Sequence, residues 1–255
     1  MRESLQQICD KMYCINLDTS QDRWDVVSKE FRKYNILDLV HRVSGETKYE
    51  KCEANVVSVH LDIIRKAKQD KLKSVLIFED DVEFLTRVWT GKKFVESDPA
   101  VYLRKVVSQL KDVKWDMLYL GWRLPLKLVG IGRNRLFEEF IRYKQFSNNL
   151  FQSACQTTGH AYIVNHTIYD KILTNNPLEE CINSNGLALD HFYGYWLAFK
   201  ATCINVTPMI ATQRTCYSIQ KREMVDNSNW TNKMMKTFPF IYEDNAKKFI
   251  KTDSR

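Results

Sequence analysis

The sequence predicts an α/β fold in which helices flank a mostly parallel or mixed central sheet. Short apolar runs alternate along the chain with stretches whose apolar residues recur at helical spacing. One predicted strand, residues 73–78, ends in the apolar run 75–78, which is typical of a buried parallel strand. No linker rich in Gly, Ser or Pro and no internal repeat divides the chain. We therefore expect residues 1–255 to form a single domain built from strand–helix units.

The N-terminal elements follow one another as strand, helix, strand and helix. Short apolar runs predict strands over residues 11–17 and 37–43. Apolar residues at intervals of three and four predict helices over residues 23–36 and 53–69. The apolar strand 73–78 comes directly after the second of these helices.

The second half of the chain continues this alternation. Residues 99–113 are predicted to be helical, with Pro99 in the first turn, where its missing N–H leaves no hydrogen bond unmade. The other elements predicted here are strands over residues 115–122, 159–164 and 202–206, and helices over residues 167–173 and 189–199.

Two segments lack a clear period. Residues 123–155 are basic and aromatic, and we expect a long irregular or partly helical insertion over the sheet edge, where functional loops tend to lie. From about residue 221 onward we expect a polar C-terminal tail.

The chain carries a formal net charge of +7 at pH 7. A basic balance favours acidic partners such as nucleic acid, anionic surfaces or phosphate-bearing small molecules. No Arg-rich tract or nucleic-acid motif is present, so we do not expect nucleic-acid binding. No apolar run approaches the roughly 20 residues that a membrane span needs, and the N-terminal residues lack the apolar core of a secretory signal. We therefore expect a soluble, cytoplasmic protein.

Three acids, Glu79, Asp80 and Asp81, directly follow the strongest apolar strand signal. Because ligands bind at the carboxyl ends of strands in α/β sheets, these acids are expected at the mouth of a site. Adjacent carboxylates repel one another unless a positive group is present. Side chains that leave a strand alternate in direction, so Glu79 and Asp81 are predicted to share one side while Asp80 faces the other.

Two interpretations of the three acids stay open on spacing alone. Hard oxygen ligands in a short run fit Mg²⁺ or Mn²⁺, especially an ion that also holds a diphosphate. Such an ion would neutralise the charge that develops on a departing nucleoside diphosphate. The alternative is that these carboxylates are solvated or cap the following segment.

Seven short blocks stand in a characteristic order along the chain. They are "YCINLDTSQDRW" at residues 13–24, "VHL" around His60, "LIFEDDVEF" at 76–84, "WDMLYLGW" at 115–122, "GHAYIVN" at 159–165, "ALDHF" at 188–192 and "PMIATQ" at 208–213. This order resembles glycosyltransferase family 25, which includes lipooligosaccharide galactosyltransferases and collagen hydroxylysine galactosyl- and glucosyltransferases. The resemblance implies a GT-A-like nucleotide-sugar-binding fold, a divalent metal and a UDP-sugar donor.

The resemblance implies donor contacts at both ends of the matched region. Asn16, Leu17 and Arg23 match the opening block, which begins the nucleotide-binding half. Arg23 would lie near the start of its helix, where a cation and backbone amides can meet uracil or phosphate. The alternative for Arg23 is an exposed helix arginine. Gln213 falls on the last block and is a candidate contact to the donor or the acceptor.

The resemblance also assigns roles to four acids. Glu79, Asp80 and Asp81 match the family's metal-binding "EDD", with Asp81 as the first choice of metal ligand, Glu79 as the second and Asp80 as a donor contact. Asp190 matches an aspartate for which we expect a contribution at the donor sugar or acceptor, whereas its alternative is a helix N-cap. Asp190 and Glu79 are the candidates for a catalytic base.

Two other matched residues receive structural interpretations. His60 matches a family histidine, but a lone histidine on an apolar helix face is more often a satisfied core residue. Asp116 is expected to orient its strand rather than to contact substrate.

The chain departs from the family pattern in two blocks. The family's "GC..SH" is "NVVSVH" at residues 55–60, and the later "SDI" block is "YSIQ" at residues 217–220 without its aspartate. These departures motivate a second hypothesis, a catalytically silent carbohydrate- or nucleotide-binding relative.

The leading hypothesis is a metal-dependent enzyme that moves galactose or glucose from a UDP-sugar to a hydroxyl acceptor. The acceptors to consider are hydroxylysine or galactosylhydroxylysine of a collagen-like protein, and then an oligosaccharide. Galactose transfer to hydroxylysine from an α-linked donor inverts the anomeric centre and needs a base opposite the leaving group. Glucose addition with an α-linkage retains the configuration. Both outcomes stay open.

Overall fold

The computed structural model describes most of the chain. The described residues are 1–45, 47–90, 92–123, 144–154, 156–183, 189–218 and 223–237. Most of the predicted insertion 123–155 and the end of the predicted tail lie outside them, so the domain boundaries stay a prediction.

An eight-stranded mixed sheet with helices on both faces confirms the predicted α/β class. Its strand order is β2-β1-β3-β10-β7-β11-β9-β8. These strands are β1 Lys11–Asn16, β2 Val40–Ser44, β3 Ser74–Glu79, β7 Met117–Tyr119, β8 Lys144–Ser147, β9 Leu150–Gln152, β10 Ala161–Asn165 and β11 Cys203–Val206. Smaller two-stranded ladders are formed by β4 Val82–Phe84, β5 Arg87–Trp89, β6 Phe94–Glu96, β12 Ala211–Gln213, β13 Cys216–Ser218 and β14 Glu223–Val225.

The strand directions decide which residues meet at one edge of the sheet. β1 pairs in parallel with β2 and β3, whereas β10 is antiparallel to both β3 and β7. β1, β3 and β7 therefore end at the same edge at which β10 begins. The antiparallel β10 makes the sheet mixed rather than fully parallel.

The two faces of the sheet are covered by different helices. The helices are α1 Arg2–Gln6, α2 Gln21–Lys33, α3 Cys52–Gln69, α4 Pro99–Leu110, α5 His166–Thr174, α6 Pro177–Asn183, α7 Leu189–His191 and α8 Ser228–Thr237. Alternate residues of β3 enter the two cores: Val75 and Ile77 pack with α3 and α5, and Leu76 and Phe78 pack with α1, α2 and α4. A strand buried on both faces explains the continuous apolar run.

Side chains cap two of the helices. Asp98 precedes α4 and accepts a 2.9 Å hydrogen bond from the Ala100 N–H, with Pro99 at the first helical position as predicted. Asn165 caps α5 in the same way, through a 3.2 Å hydrogen bond from the Thr167 N–H.

Several predicted elements differ in detail. Residues 37–39 form a 3-10 turn instead of the start of a strand, because the pairing of Met12 with Val40 sets where β2 begins. The predicted helix 189–199 contains α7, a π-helical turn Phe192–Trp196 and a 3-10 turn Leu197–Phe199.

Two segments predicted to be irregular contain regular structure. Strands β8 and β9 form a hairpin at the far edge of the sheet, so β11 lies inside the sheet, between β7 and β9. Strand β14, which pairs with β13, and helix α8 occupy residues that were expected to be a polar tail. Local periodicity is weak in these short pieces, because pairing partners distant in sequence stabilise them. Within the residues described, no helix has both the length and the apolar character that crossing a membrane requires.

Candidate functional site

The predicted acids lie at one edge of the sheet, where β1 and β3 end. β1 continues through α2 to β2 on one side, whereas β3 is followed across the sheet by β10 and β7 on the other side. The crevice between the carboxyl ends of β1 and β3 is therefore a topological switch point, where open α/β sheets bind ligands. Asn16 ends β1, and residues 79–81 end β3 and lead out of it.

Asp80 lies at the centre of this crevice. Its Oδ2 accepts a 2.7 Å hydrogen bond from Asn16 Nδ2, and its Oδ1 accepts hydrogen bonds from Arg23 Nε at 2.8 Å and from Arg23 Nη2. The Arg23 and Asp80 side chains are only 20% and 10% exposed. Burial alone would lower the pKa of Arg23, but the hydrogen bond to Asp80 and the charges of Asp80 and Asp81 raise it overall. The protein itself thus neutralises Asp80.

Asp81 is less well compensated. Its Oδ2 accepts a 3.3 Å hydrogen bond from Gln213 Nε2 and lies 3.9 Å from Arg23 Nη2. Its Oδ1 is buried and has no hydrogen-bond partner among the described residues. Burial, and then the charge of Glu79, raise the pKa of Asp81 to about 7. Gln213 reaches this carboxylate because β12 pairs with β4, the strand that directly follows the acids.

Glu79 faces a buried histidine. Its Oε1 lies 3.6 Å from His60 Nε2, and His60 Nδ1 lies 2.6 Å from Tyr162 Oη. Burial alone would raise the pKa of Glu79, but the contact with His60 and the charges of His60, His160 and Arg23 lower it overall. A Cβ at Gly159 would lie 2.8 Å from Glu79 Oε1, so any larger residue here would displace the carboxylate. His60 is buried in the core as predicted, but only its Nδ1 is satisfied, because its Nε2 has no hydrogen-bond partner among the described residues.

His160 lies next to Glu79 across the sheet, and its carbonyl accepts a 3.0 Å hydrogen bond from the Glu79 N–H. It is 2% exposed, and neither ring nitrogen has a hydrogen-bond partner among the described residues. The ring lies against the backbone of Gly121, where an added Cβ would lie 2.1 Å from His160 Nε2. Burial lowers the pKa of His160 to about 4, although the charge of Glu79 acts in the opposite direction.

Wild type is expected to lose stability as the pH falls from 6.5 to 4. We expect His160→Gln to reduce this loss in the free energy of unfolding by a few kcal/mol. The ordinary histidine pKa of about 6.5 applies to the unfolded chain, which binds a proton between pH 6.5 and 4 that the folded state does not bind. The stability due to His160 is therefore complete above pH 6.5 and is lost as the pH falls toward 4. Urea unfolding at several pH values in chelator measures this effect. The exposed His166, replaced by Gln, is the control, and an unchanged pH slope in His160→Gln would contradict the prediction.

Two further charged groups face the same edge. Asp190 lies in α7, and its Oδ1 accepts a 2.9 Å hydrogen bond from the His191 N–H. Burial raises the pKa of Asp190, His191 lowers it and the charge of Glu79 raises it further. Burial lowers the pKa of Arg123, just after β7, to about 10, against the charges of Asp81 and Asp190. The charge of Glu79 thus acts on Asp190, and the charges of Asp81 and Asp190 act on Arg123.

Two other predicted residues have structural contacts. Leu17 packs closely on Gly45: a Cβ added at that glycine would lie only 2.6 Å from Leu17 Cδ2. Asp116 lies just before β7, at the opposite edge of the sheet, where it accepts hydrogen bonds from Thr167 Oγ1 at 2.6 Å and from the Thr202 N–H at 2.8 Å. The prediction that Asp116 orients its strand is confirmed.

The sequence patterns missed several residues at this edge. His160 belongs to the "GHAYIVN" block, and a glycine–histidine pair before a buried strand is the signal that could have identified it. Arg214 follows Gln213 and donates a 2.6 Å hydrogen bond to the Val82 carbonyl. Arg123 and Asn227 carry no local signal, because only the fold brings them together.

The carboxylates present fit a divalent metal only with help from a substrate. Among the described residues no group of three His, Cys, Asp or Glu side chains is arranged to hold a metal ion. Asp80 is already paired with Arg23, which leaves Asp81, with its unpartnered buried oxygen, and Glu79. Mg²⁺ is commonly bound by one or two carboxylates together with substrate phosphates and water, and this donor set is compatible with that arrangement.

Comparisons with known proteins give weak likenesses. No protein-family model and no curated protein matches the chain. The chain is similar to the crystal structure of a glycosyltransferase involved in the glycosylation of the major capsid of PBCV-1, with 9% identity, a TM-score of 0.47 and coverage of 89% of this chain and 98% of that one. For A197 from STIV the identity is 11%, the TM-score 0.40 and the coverage 86% and 94%.

A third likeness is to the nucleoside-diphosphate-sugar pyrophosphorylase from Vibrio cholerae RC9. The identity is 12% and the TM-score 0.33, with coverage of 76% of this chain and 72% of that one. Likeness at these levels assigns neither a family nor an activity to the chain.

Proposed function

We propose that this protein is a metal-dependent glycosyltransferase that moves galactose or glucose from a UDP-sugar to a hydroxyl acceptor. The observation that carries the proposal is the switch point between β1 and β3, where Asp80 meets Asn16 and Arg23, and Asp81 meets Gln213. A switch point of this kind suits a nucleotide with a charged diphosphate. The ordered sequence blocks add support for a GT-A-like fold of the family 25 type.

The three acids divide into separate roles. Asp80 orders the crevice through Arg23 and Asn16, while Asp81 and Glu79 would hold Mn²⁺ or Mg²⁺. When bound, the ion supplies positive charge that stabilises the departing diphosphate. Gln213 positions Asp81 by its hydrogen bond, and His60 keeps Glu79 ionised and oriented.

The two candidate bases differ in basicity. Burial raises the pKa of Asp190, whereas the neighbouring histidines lower that of Glu79. A group that accepts a proton works best when its pKa approaches the working pH, so Asp190 fits the base and Glu79 fits a permanently charged ligand. With Asp190 as base, its carboxylate would take the proton of an acceptor hydroxyl as that oxygen bonds to the anomeric carbon, and the bond from this carbon to the phosphate oxygen would break to release UDP. With Asp190 as base the reaction would be inverting, and hydroxylysine of a collagen-like protein is then the first acceptor to test.

The experiment is a panel of UDP-sugars incubated with the purified chain. We expect UDP release from UDP-galactose or UDP-glucose with Mn²⁺ and not in chelator. GDP-mannose serves as the negative donor control. A positive donor is then offered to hydroxylysine peptides, galactosylhydroxylysine peptides and oligosaccharides. The proposal fails if no nucleotide-sugar is turned over in the presence of metal and these acceptors.

A catalytically silent nucleotide- or carbohydrate-binding protein is the second candidate. It is favoured by the neutralisation of Asp80 by Arg23 and by the lack of a three-residue metal group among the described residues. This candidate predicts saturable UDP binding without UDP release from any UDP-sugar. Calorimetry beside the release assay therefore separates the two functions.

A further inference from the structure

Arg123 is a cation at the acidic edge to which the proposed function gives no role. Its Nη2 donates a 2.5 Å hydrogen bond to Asn227 Oδ1, and its backbone carbonyl accepts a 2.9 Å hydrogen bond from the Thr157 N–H. It forms no ion pair within the described part of the chain. A guanidinium has five N–H donors, so one bond to Asn227 leaves donors for another acceptor.

Asn227 holds this guanidinium from a buried position. It is 5% exposed, and its Nδ2 donates a 3.1 Å hydrogen bond to the Arg214 carbonyl. The amide therefore connects Arg123 to the segment that also carries Gln213, the partner of Asp81. A neutral amide orients a guanidinium without cancelling its charge, in contrast to Asp80, which pairs with Arg23.

The charge of Arg123 acts on the site. It lies within electrostatic reach of Asp81 and Asp190, and it contributes to the lowered pKa of His160. Burial lowers the pKa of Arg123 to about 10, because a half-buried cation without a close counter-charge is unfavourable. An anion bound at the guanidinium would remove this cost.

We propose that Arg123, oriented by Asn227, binds the diphosphate of the nucleotide donor. The inference rests on the proposed function and adds a phosphate-binding residue to it. The planar guanidinium fork matches two phosphate oxygens at once. Arg123 is the suitable cation for this task because Arg23 is already neutralised by Asp80.

The test measures binding rather than turnover. UDP and inorganic pyrophosphate are titrated calorimetrically, with Mn²⁺ and in chelator, into wild type and Arg123→Gln. We expect Arg123→Gln to bind both about 10- to 100-fold more weakly, as is usual for a lost hydrogen bond between charged groups. Arg123→Lys keeps the charge but loses the fork, so it should fall between the two. Arg104→Gln, which removes an exposed charge on α4, should bind like wild type.

The outcomes separate the inference from the proposed function. If wild type binds UDP and Arg123→Gln binds it equally well, the role of Arg123 is overturned while the proposed function stands. If wild type binds neither UDP nor pyrophosphate, both are overturned. If circular dichroism shows that Arg123→Gln is unfolded, Arg123→Lys and Asn227→Ser carry the test, and wild-type affinity in both overturns the inference.

Discussion

Asp81→Asn is expected to lower sugar transfer and UDP release at least about 100-fold while the fold stays intact, the size of loss seen when one charge-stabilising group is removed from an active site. Asp81 is the acid of this crevice that carries a buried oxygen without a hydrogen-bond partner among the described residues. An amide of the same shape keeps the contact with Gln213 but cannot hold a divalent cation with the same strength. Initial rates with the active UDP-sugar measure the effect.

The same variant should become more stable in chelator at neutral pH. Burial raises the pKa of Asp81 to about 7, above the 3.8 expected in the unfolded chain. Below pH 3.8 Asp81 is protonated in both states and causes no loss of stability. As the pH rises through 7 the buried carboxyl must ionise, and the folded state loses stability. Asn imitates the protonated form, so Asp81→Asn should exceed wild type by an amount on the order of a few kcal/mol above pH 7.

Added Mn²⁺ should reverse this order. Binding to the folded state alone raises the melting temperature, so wild type should gain stability from Mn²⁺ and Asp81→Asn should gain little. Asp62→Asn, on the exposed side of α3, is the matched control and should behave like wild type in every assay. Full activity of Asp81→Asn, or of wild type in chelator, would refute the metal role.

Arg23→Gln is expected to destabilise the protein by about 2–4 kcal/mol. Removing one partner of a buried pair leaves the other charge uncompensated, which commonly costs about 3–5 kcal/mol. Partial exposure of Arg23, at 20%, reduces that value somewhat. Asp80 would retain its hydrogen bond from Asn16 but lose both bonds from the guanidinium.

A double-mutant cycle tests the pair directly. Asp80→Asn combined with Arg23→Gln removes both charges, so the double variant should be more stable than the sum of the two single losses predicts, by about 1–3 kcal/mol. Urea unfolding at pH 7.5 provides the free energies. Arg2→Gln, which breaks an exposed pair with Asp38, is the control and should leave stability nearly unchanged, because solvent screens this pair. Additive losses at Arg23 and Asp80 would show that the pair contributes no specific stability.

Much of the fold could be predicted from local patterns. The run over β3 and the helical spacing over α2 and α3 identified elements that the structure contains at nearly the predicted bounds. The caps of α4 and α5 act within three residues of the chain, which is why such signals can be recognised without a fold. Strands β8, β9, β13 and β14 were missed, because three or four residues carry too little periodicity to be distinguished from loop.

The candidate site was predictable in composition but not in its pairing. The three acids could be identified from the strand that they follow, and Arg23 from the family resemblance of its block. Nothing local shows that Asp80 is neutralised by Arg23 while Asp81 keeps an unpartnered oxygen. His160 reaches Glu79 because β10 runs antiparallel to β3 and begins where β3 ends.

The amino-acid sequence by itself determined the α/β class, most of the larger helices and strands, and the presence of three carboxylates at the end of a buried strand. Only the tertiary structure decided which charges compensate one another. Gln213 meets Asp81 across 132 residues and Asn227 meets Arg123 across 104, contacts that exist because strands and helices distant in the chain pack together. The physical reason is that periodicity and capping depend on near neighbours in the chain, whereas burial and Coulomb interactions depend on neighbours in space.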